Sequence, residues 1–301
     1  MYEEEAERQI AAYLRTLESN NYTVDGYKRG QYNFHSDIKH QNQKLKLFVY
    51  FGKKGLKTII QGEAHPEFSR SVYSLLGMNP NIGDFTEELE PENYIGTDES
   101  GKGDYFGPLV VAGVLVTSDT LHKLKSAGVR DSKELNDTQI VSIHKKIVEI
   151  IKEKFEVISI SPATYNSLHA RMKNVNRILG WAHAKIIENI LEKNEVPEAI
   201  SDKFGNEDLI VSSLQTKGKK IKLAQYTKAE RFLGVAAASI IARKNFIDWF
   251  LRNNKSYEFT LPKGASSEVI KAGKIFVQKF GQKELDQVAK IHFKTTKQII
   301  N

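Results

Sequence analysis

Apolar and polar positions alternate with two different periods along this chain. Ala6, Ile10, Tyr13, Leu14 and Leu17 recur at helical spacing and predict a helix over 3–19. In "KLKLFVYFGKKGLKTIIQG" the period drops to two. Leu45, Leu47, Val49 and Phe51 fall on one face of a strand, with Lys44, Lys46, Phe48 and Tyr50 on the other. "GKKG" turns the chain into a second strand ending near Gln61. From residue 94 the pattern becomes one of strands and helices in alternation. A strand over 94–98 ends in two adjacent carboxylates, Asp98 and Glu99, and the β-branched run Leu109 to Val116 suits a buried strand. A helix capped at Asn136 or Asp137 carries Ile140, Ile143, Ile147 and Ile150 as its stripe. A strand at "FEVISIS" follows, then a long helix with Ile178, Leu179, Ala182, Ile186 and Ile190 inward. "EAISD" and "KIKLAQY" read as short strands, the first ending at Asp202. "AERFLGVAAASIIARKNFIDWFLRN" is a helix whose small residues suit close packing on a sheet.

Between these two regimes lies "MNPNIGDFTEELEPEN", with two prolines, a glycine and an acidic run, the composition of a linker. It divides the chain into an N-terminal domain over 1–88 and a larger α/β layered domain over 89–301. Charge is sorted along the chain. Eight basic residues and one acid, Asp37, lie between Lys28 and Lys57, while Asp84 to Glu92 holds five acids and no base. The net charge of +7 points to a polyanionic partner. A sheet face bearing Lys44, Lys46, Phe48 and Tyr50 has cations for phosphates and rings for sugars or bases.

The 301 residues include no cysteine, so disulfides and thiolate metal sites are excluded and a reducing cytoplasm is expected. Any metal would be held by oxygen, which favours Mg²⁺ or Mn²⁺. No apolar run approaches the roughly 18 residues needed to span a bilayer, and the acidic start is unlike a signal peptide.

"GTDESGK", Gly96 to Lys102, matches the first seven positions of a phosphate-binding loop. That loop needs Ser or Thr next and then a helix; Gly103 follows instead, and then a strand-like run, which leaves a P-loop NTPase as the third and least favoured reading. The carboxylate reading survives. Asp98 and Glu99 would converge if the strand ends or bulges there, as Gly101 and Gly103 would allow, with Asp202 the natural third ligand. His183 and His292 read as packed or surface histidines, and Asp131 as fixing its loop.

The blocks "GTDESGKGDYFGPLVVAG", "VRDSKELND", "YNSLHARMKNVNRILGWAHAKIIENIL", "AISDKF", "TKAERFLGVAAASIIAR" and "LPKGAS" resemble, in order, the signatures of bacterial ribonuclease HIII, over about residues 94–266. The Gly-Lys-Gly loop and the N-terminal extension favour this family over the related ribonuclease HII. The resemblance implies a ribonuclease H-like layered catalytic domain and a smaller N-terminal α+β domain similar to the TATA-binding protein, which docks the substrate. It implies an endonuclease that cuts the RNA strand of RNA/DNA hybrids with two Mg²⁺ or Mn²⁺ ions, leaving 5′-phosphate and 3′-hydroxyl ends, and acting as a monomer. Asp98, Glu99 and Asp202 match three of its four active-site positions and would bind the metal. The fourth, commonly acidic, is Asn206 here, with Glu207 and Asp248 as alternatives. Gly101, Lys102, Gly103, Lys133 and Lys228 would contact substrate, joined by Lys44, Lys46, Phe48 and Tyr50 on the N-terminal sheet. The competing reading is a non-catalytic hybrid-binding protein in which Asn206 marks a decayed site.

Overall fold

The computed structural model describes residues 2–52, 55–62, 66–78, 90–206 and 208–300. It divides into two compact units, Met1–Leu89 and Glu90–Asn301. The expected boundary near residue 88 lies outside the described residues, as do Lys53 and Lys54 of the expected turn.

In the first unit, helix α1 (Tyr2–Ser19) precedes strands β1 (Thr23–Val24), β2 (Lys28–Arg29), β3 (Asn33–His40), β4 (Gln43–Gly52) and β5 (Gly55–Gln61), and α2 (Pro66–Leu75). The sheet is antiparallel in the order β1-β3-β4-β5, with β2 also on β3. The alternation in β4 does what its period dictates. Leu45, Leu47 and Val49 are buried with Ala6, Ile10, Leu14 and Leu17 of α1, and Phe51 packs against that cluster. Lys44, Lys46, Phe48 and Tyr50 occupy the opposite face.

The second unit runs β6 (Tyr94–Ser100), β7 (Leu109–Val116), α3 (Ser118–Ser126), α4 (Asp137–Ile151), β8 (Phe155–Ile160), α5 (Pro162–Met172), α6 (Val175–Lys193), β9 (Glu198–Asp202), α7 (Asp208–Val211), β10 (Lys222–Tyr226), α8 (Leu233–Tyr257), α9 (Ser267–Phe280), α10 (Gln282–Val288) and α11 (Lys294–Ile300). Its sheet has the order β10-β9-β6-β7-β8. β10, β9 and β6 are parallel; β7 is antiparallel to both β6 and β8. β7 is buried along its whole length, because α8 covers one face of the sheet and α6 the other. Asn136 caps α4 reciprocally with Gln139. The small residues of α8 let it approach closely: a Cβ on Gly96 would stand 2.2 Å from the backbone carbon of Gly234.

β6 differs from expectation. It neither ends at Asp98 nor bulges there. Its ladder with β7 continues regularly through Asp98↔Ala112, Glu99↔Val111 and Ser100↔Val110. The chain turns only at Gly101, whose φ of +89° favours glycine and whose Cβ would meet Pro108 O at 2.2 Å.

The segment after that turn is fastened from behind. The Lys290 and Gly107 amides donate to Tyr105 O and Val288 O, at 2.8 and 2.9 Å. The Lys290 ammonium, fully buried, donates to Asp104 O (2.8 Å) and Gly107 O (2.6 Å). Burial pushes its pKa down to about 7, against the pull of Asp104, whereas an unfolded lysine titrates near 10.4, roughly. With the folded value depressed, the Lys290 contribution to stability is complete above the unfolded value. It is lost as pH falls towards the folded one. Urea unfolding at about pH 7 and about pH 9.5 should therefore show wild type gaining more stability than Lys290→Met on going to the higher pH. Parallel shifts in the two proteins would contradict this.

Candidate active site

The parallel register of β6 and β9 pairs Thr97 with Ser201, so Asp98 and Asp202 follow side by side at the same end of the sheet. Both point to the α8 face. Ser239 of α8, its hydroxyl 2.7 Å from that of Ser132, lies beside Asp98 and favours its ionised form, and the Ala229 amide, just before α8, donates to Asp202 Oδ1 at 3.0 Å. Glu99, one residue on, points to the α6 face, where His183 Nε2 lies 3.4 Å from its Oε2. Three carboxylates therefore flank one end of the sheet from both sides.

Their electrostatics are those of mutually repelling acids. Burial raises the Asp98 pKa well above the carboxylate range, and the charges of Glu99 and Asp202 push it the same way. Asp202 is also raised, first by burial and then by Glu230 and Glu99. Glu99 Oε2 is buried without a hydrogen-bond partner. Among the described residues, no three acidic or imidazole groups are gathered closely enough to hold an ion as they stand. Mutual repulsion and the strand's alternation keep these carboxylates apart. The donor set, all oxygen and acidic, with one orphaned buried oxygen, fits a hard divalent cation whose charge would offset the repulsion.

Asn206 is exposed, and its side-chain oxygen accepts the Asp208 amide at 3.2 Å ahead of α7. Asp248 is occupied by Lys244 at 2.6 Å, and Glu207 lies outside the described residues. The acid that approaches the cluster is Glu230, which is buried, raises Asp202 and pairs with Lys133. Sequence reasoning missed it because its nearness to Asp202 follows from a pairing: Tyr226 of β10 lies beside Asp202, and the turn after it lands there. His183 carried a readable signal, since it falls on the inward stripe of α6.

The basic candidates gather nearby. Lys133 and Lys228 line one groove with Glu230, Arg130 and Arg231. Lys228 adopts φ +56°, immediately before Ala229. Lys102 Nζ lies 3.7 Å from Glu99 Oε1 and donates to Phe204 O at 3.3 Å. A Cβ on Gly103 would meet nothing within 4 Å, so its backbone is open to a ligand. The missing Gly101 side chain is instead explained by Pro108 and Phe246, which leave no room for one. Asp131 Oδ1 accepts the Lys133 amide at 2.9 Å and shapes that loop. In the N-terminal unit, Lys44 is bound to Asp37 at 2.8 Å. Lys46 Nζ lies 5.7 Å from the Phe48 ring centre, and Phe48 stacks on Tyr50. Among the described residues, no helix is long and apolar enough to cross a membrane.

Residues 95–296 match the family model described as Ribonuclease HII. A ribonuclease HIII of Protochlamydia amoebophila (strain UWE25) is 39% identical over 215 residues, covering 71% of this chain and 71% of that protein. The crystal structure of Bst-RNase HIII in complex with Mn²⁺ superposes with a TM-score of 0.67 at 26% identity, over 95% of this chain and 94% of that one. RNase H3 of Aquifex aeolicus gives 0.57 at 25% identity, over 95% and 97%. The carboxylate-edged sheet between α6 and α8 thus lies inside a family match spanning most of the second unit, and the N-terminal unit is included in the whole-chain likenesses: the chain belongs to the ribonuclease HIII family of ribonuclease H enzymes.

Proposed function

We propose that the chain is an endonuclease that hydrolyses the RNA strand of RNA/DNA hybrids, leaving 5′-phosphate and 3′-hydroxyl ends. The observation that carries this reading is the repelling carboxylate cluster at the shared end of β6 and β9. Asp98, Glu99 and Asp202 are the cation ligands, with Glu230 rather than Asn206 as the fourth acidic group. When bound, two Mg²⁺ or Mn²⁺ ions supply an activated water and stabilise charge on the leaving 3′-oxygen. The Glu99 and Ala229 amides fix the orientations of Asp98 and Asp202. Lys102, Lys133 and Lys228 take phosphates around the cut. The open backbone at Gly103 approaches the RNA strand, where a 2′-hydroxyl contact separates RNA from DNA. Bst-RNase HIII, solved with Mn²⁺, supports the choice of cation.

Cleavage of an end-labelled hybrid beside RNA and DNA duplexes of the same sequence tests this reading. The hybrid alone should be cut, and only in its RNA strand. Equal cutting of a DNA duplex would overturn it.

The N-terminal sheet, with Lys44, Lys46, Phe48 and Tyr50 on one face, serves as the docking platform. Deleting residues 1–88 should weaken hybrid binding about tenfold or more and flatten its salt dependence, because basic contacts are lost. The cation requirement should stay unchanged. Equal affinity of the truncated chain in a filter-binding titration would contradict the platform role.

A further inference from the structure

His183 stands at the centre of the site without touching the surface. It is fully buried on α6 and stacks on Phe204 with ring centres 5.0 Å apart. Its Nδ1 lies 2.9 Å from the Thr97 hydroxyl and 3.5 Å from that of Ser201. Those two residues pair across β6 and β9 and immediately precede Asp98 and Asp202. Its Nε2 faces Glu99 Oε2 at 3.4 Å. The separation is long for a hydrogen bond, yet both atoms are buried and neither has a partner. Such contacts commonly lengthen in the absence of substrate and close in its presence.

The contacts of the two nitrogens fit a ring that donates from Nε2 and accepts at Nδ1. An ionised carboxylate oxygen only accepts, so the nitrogen facing Glu99 must donate. A neutral ring protonated at Nε2 leaves Nδ1 as an acceptor, and the Thr97 hydroxyl can donate to it. The Ser201 hydroxyl donates elsewhere, to Asp202 O at 3.1 Å.

We propose that His183 is a positioning residue for Glu99: as the neutral Nε2–H tautomer it holds Oε2 and leaves Oε1, the oxygen nearer Lys102, to meet the cation. The inference deepens, and rests on, the reading of Glu99 as a cation ligand. One ring thereby ties the third carboxylate to the strand residues that carry the other two. An apolar replacement would leave Glu99 Oε2 buried with no donor and free to turn.

Nitrogen-15 resonance of the histidine rings in the full, cation-free chain reads the tautomer directly. The His183 signals, assigned by their disappearance in His183→Gln, should show Nε2 protonated and Nδ1 bare, and they should move in Glu99→Gln. A proton on Nδ1, or a ring indifferent to Glu99→Gln, would overturn the proposal. In hybrid cleavage, His183→Leu should raise the Mn²⁺ concentration for half-maximal rate by about 10–100-fold. His183→Gln, whose amide can reach the same oxygen, should recover most of that loss. Equal behaviour of the Leu and Gln variants would also overturn the proposal. Full activity in Glu99→Gln would instead remove Glu99 from the ligand set, and the positioning role with it, whatever the tautomer.

Discussion

Asp98→Asn should abolish cleavage and at the same time make the cation-free protein harder to unfold. Asp98 is buried between two other acids, and its pKa is raised first by burial and then by Glu99 and Asp202. A carboxyl whose folded pKa is raised adds stability only below its unfolded value, near about 4, and that stability is lost as pH rises through the folded value. At neutral pH the charged form is therefore a standing penalty on the cation-free fold. Asparagine keeps the shape and the ability to accept from the Glu99 amide while removing the charge, and should stabilise by about 1–2 kcal/mol. It also removes a proposed cation ligand, so the rate should fall about a thousandfold or more. Urea unfolding in chelator and hybrid cleavage in Mg²⁺ measure the two effects. Added Mg²⁺ should raise the unfolding midpoint of wild type more than that of the variant. A variant that cuts at a tenth of the wild-type rate, or unfolds earlier in chelator, would contradict the assignment.

The second large effect concerns the fourth acid. Glu230→Gln should cost about a hundredfold in rate and weaken cation dependence, whereas Asn206→Ala should stay within about threefold of wild type. The difference follows from where the two residues point. Glu230 is buried, pairs with Lys133 and raises Asp202. Asn206 spends its side-chain oxygen on the Asp208 amide at an exposed turn. The glutamine preserves volume and a hydrogen-bonding head, so a loss of rate with an unchanged unfolding midpoint separates a site role from a packing role. The reverse ranking would return the fourth position to Asn206.

The elements that carry the carboxylates were legible because their patterns are local. The β-branched run of β7, the Asn136 cap, the inward stripe of α6 and the small residues of α8 each follow from a period or a cap within a few turns. Short elements such as β1, β2, α10 and α11 left too little periodicity to be read, whereas α9 carries Val269, Gly273 and Phe276 at helical spacing and was legible but missed. At the site, the motif pointed to Asp98, Glu99 and Asp202, but not to their relation. The expected bulge at Asp98 is absent because the β6–β7 ladder continues to Ser100, so the pair straddles the sheet rather than converging on one face. Glu230 and His183 reach Asp202 and Glu99 only through strand pairing and helix packing across long stretches of chain. No spacing rule reports such contacts. At Gly101 the space that a side chain would need is filled by Pro108 and Phe246, a packing demand that no local pattern reports.

The central claim, that these acids form the cation-dependent centre of a hybrid nuclease, is tested most directly by one titration. An RNA/DNA hybrid carrying a 5′ label on its RNA strand is incubated with the full chain in chelator and then in rising Mg²⁺ or Mn²⁺. The hybrid should stay intact in chelator, its RNA strand should be cleaved saturably with the cation, and the fragments should end in 3′-hydroxyl. Cleavage that persists in chelator, or an intact hybrid at saturating cation, would contradict that claim.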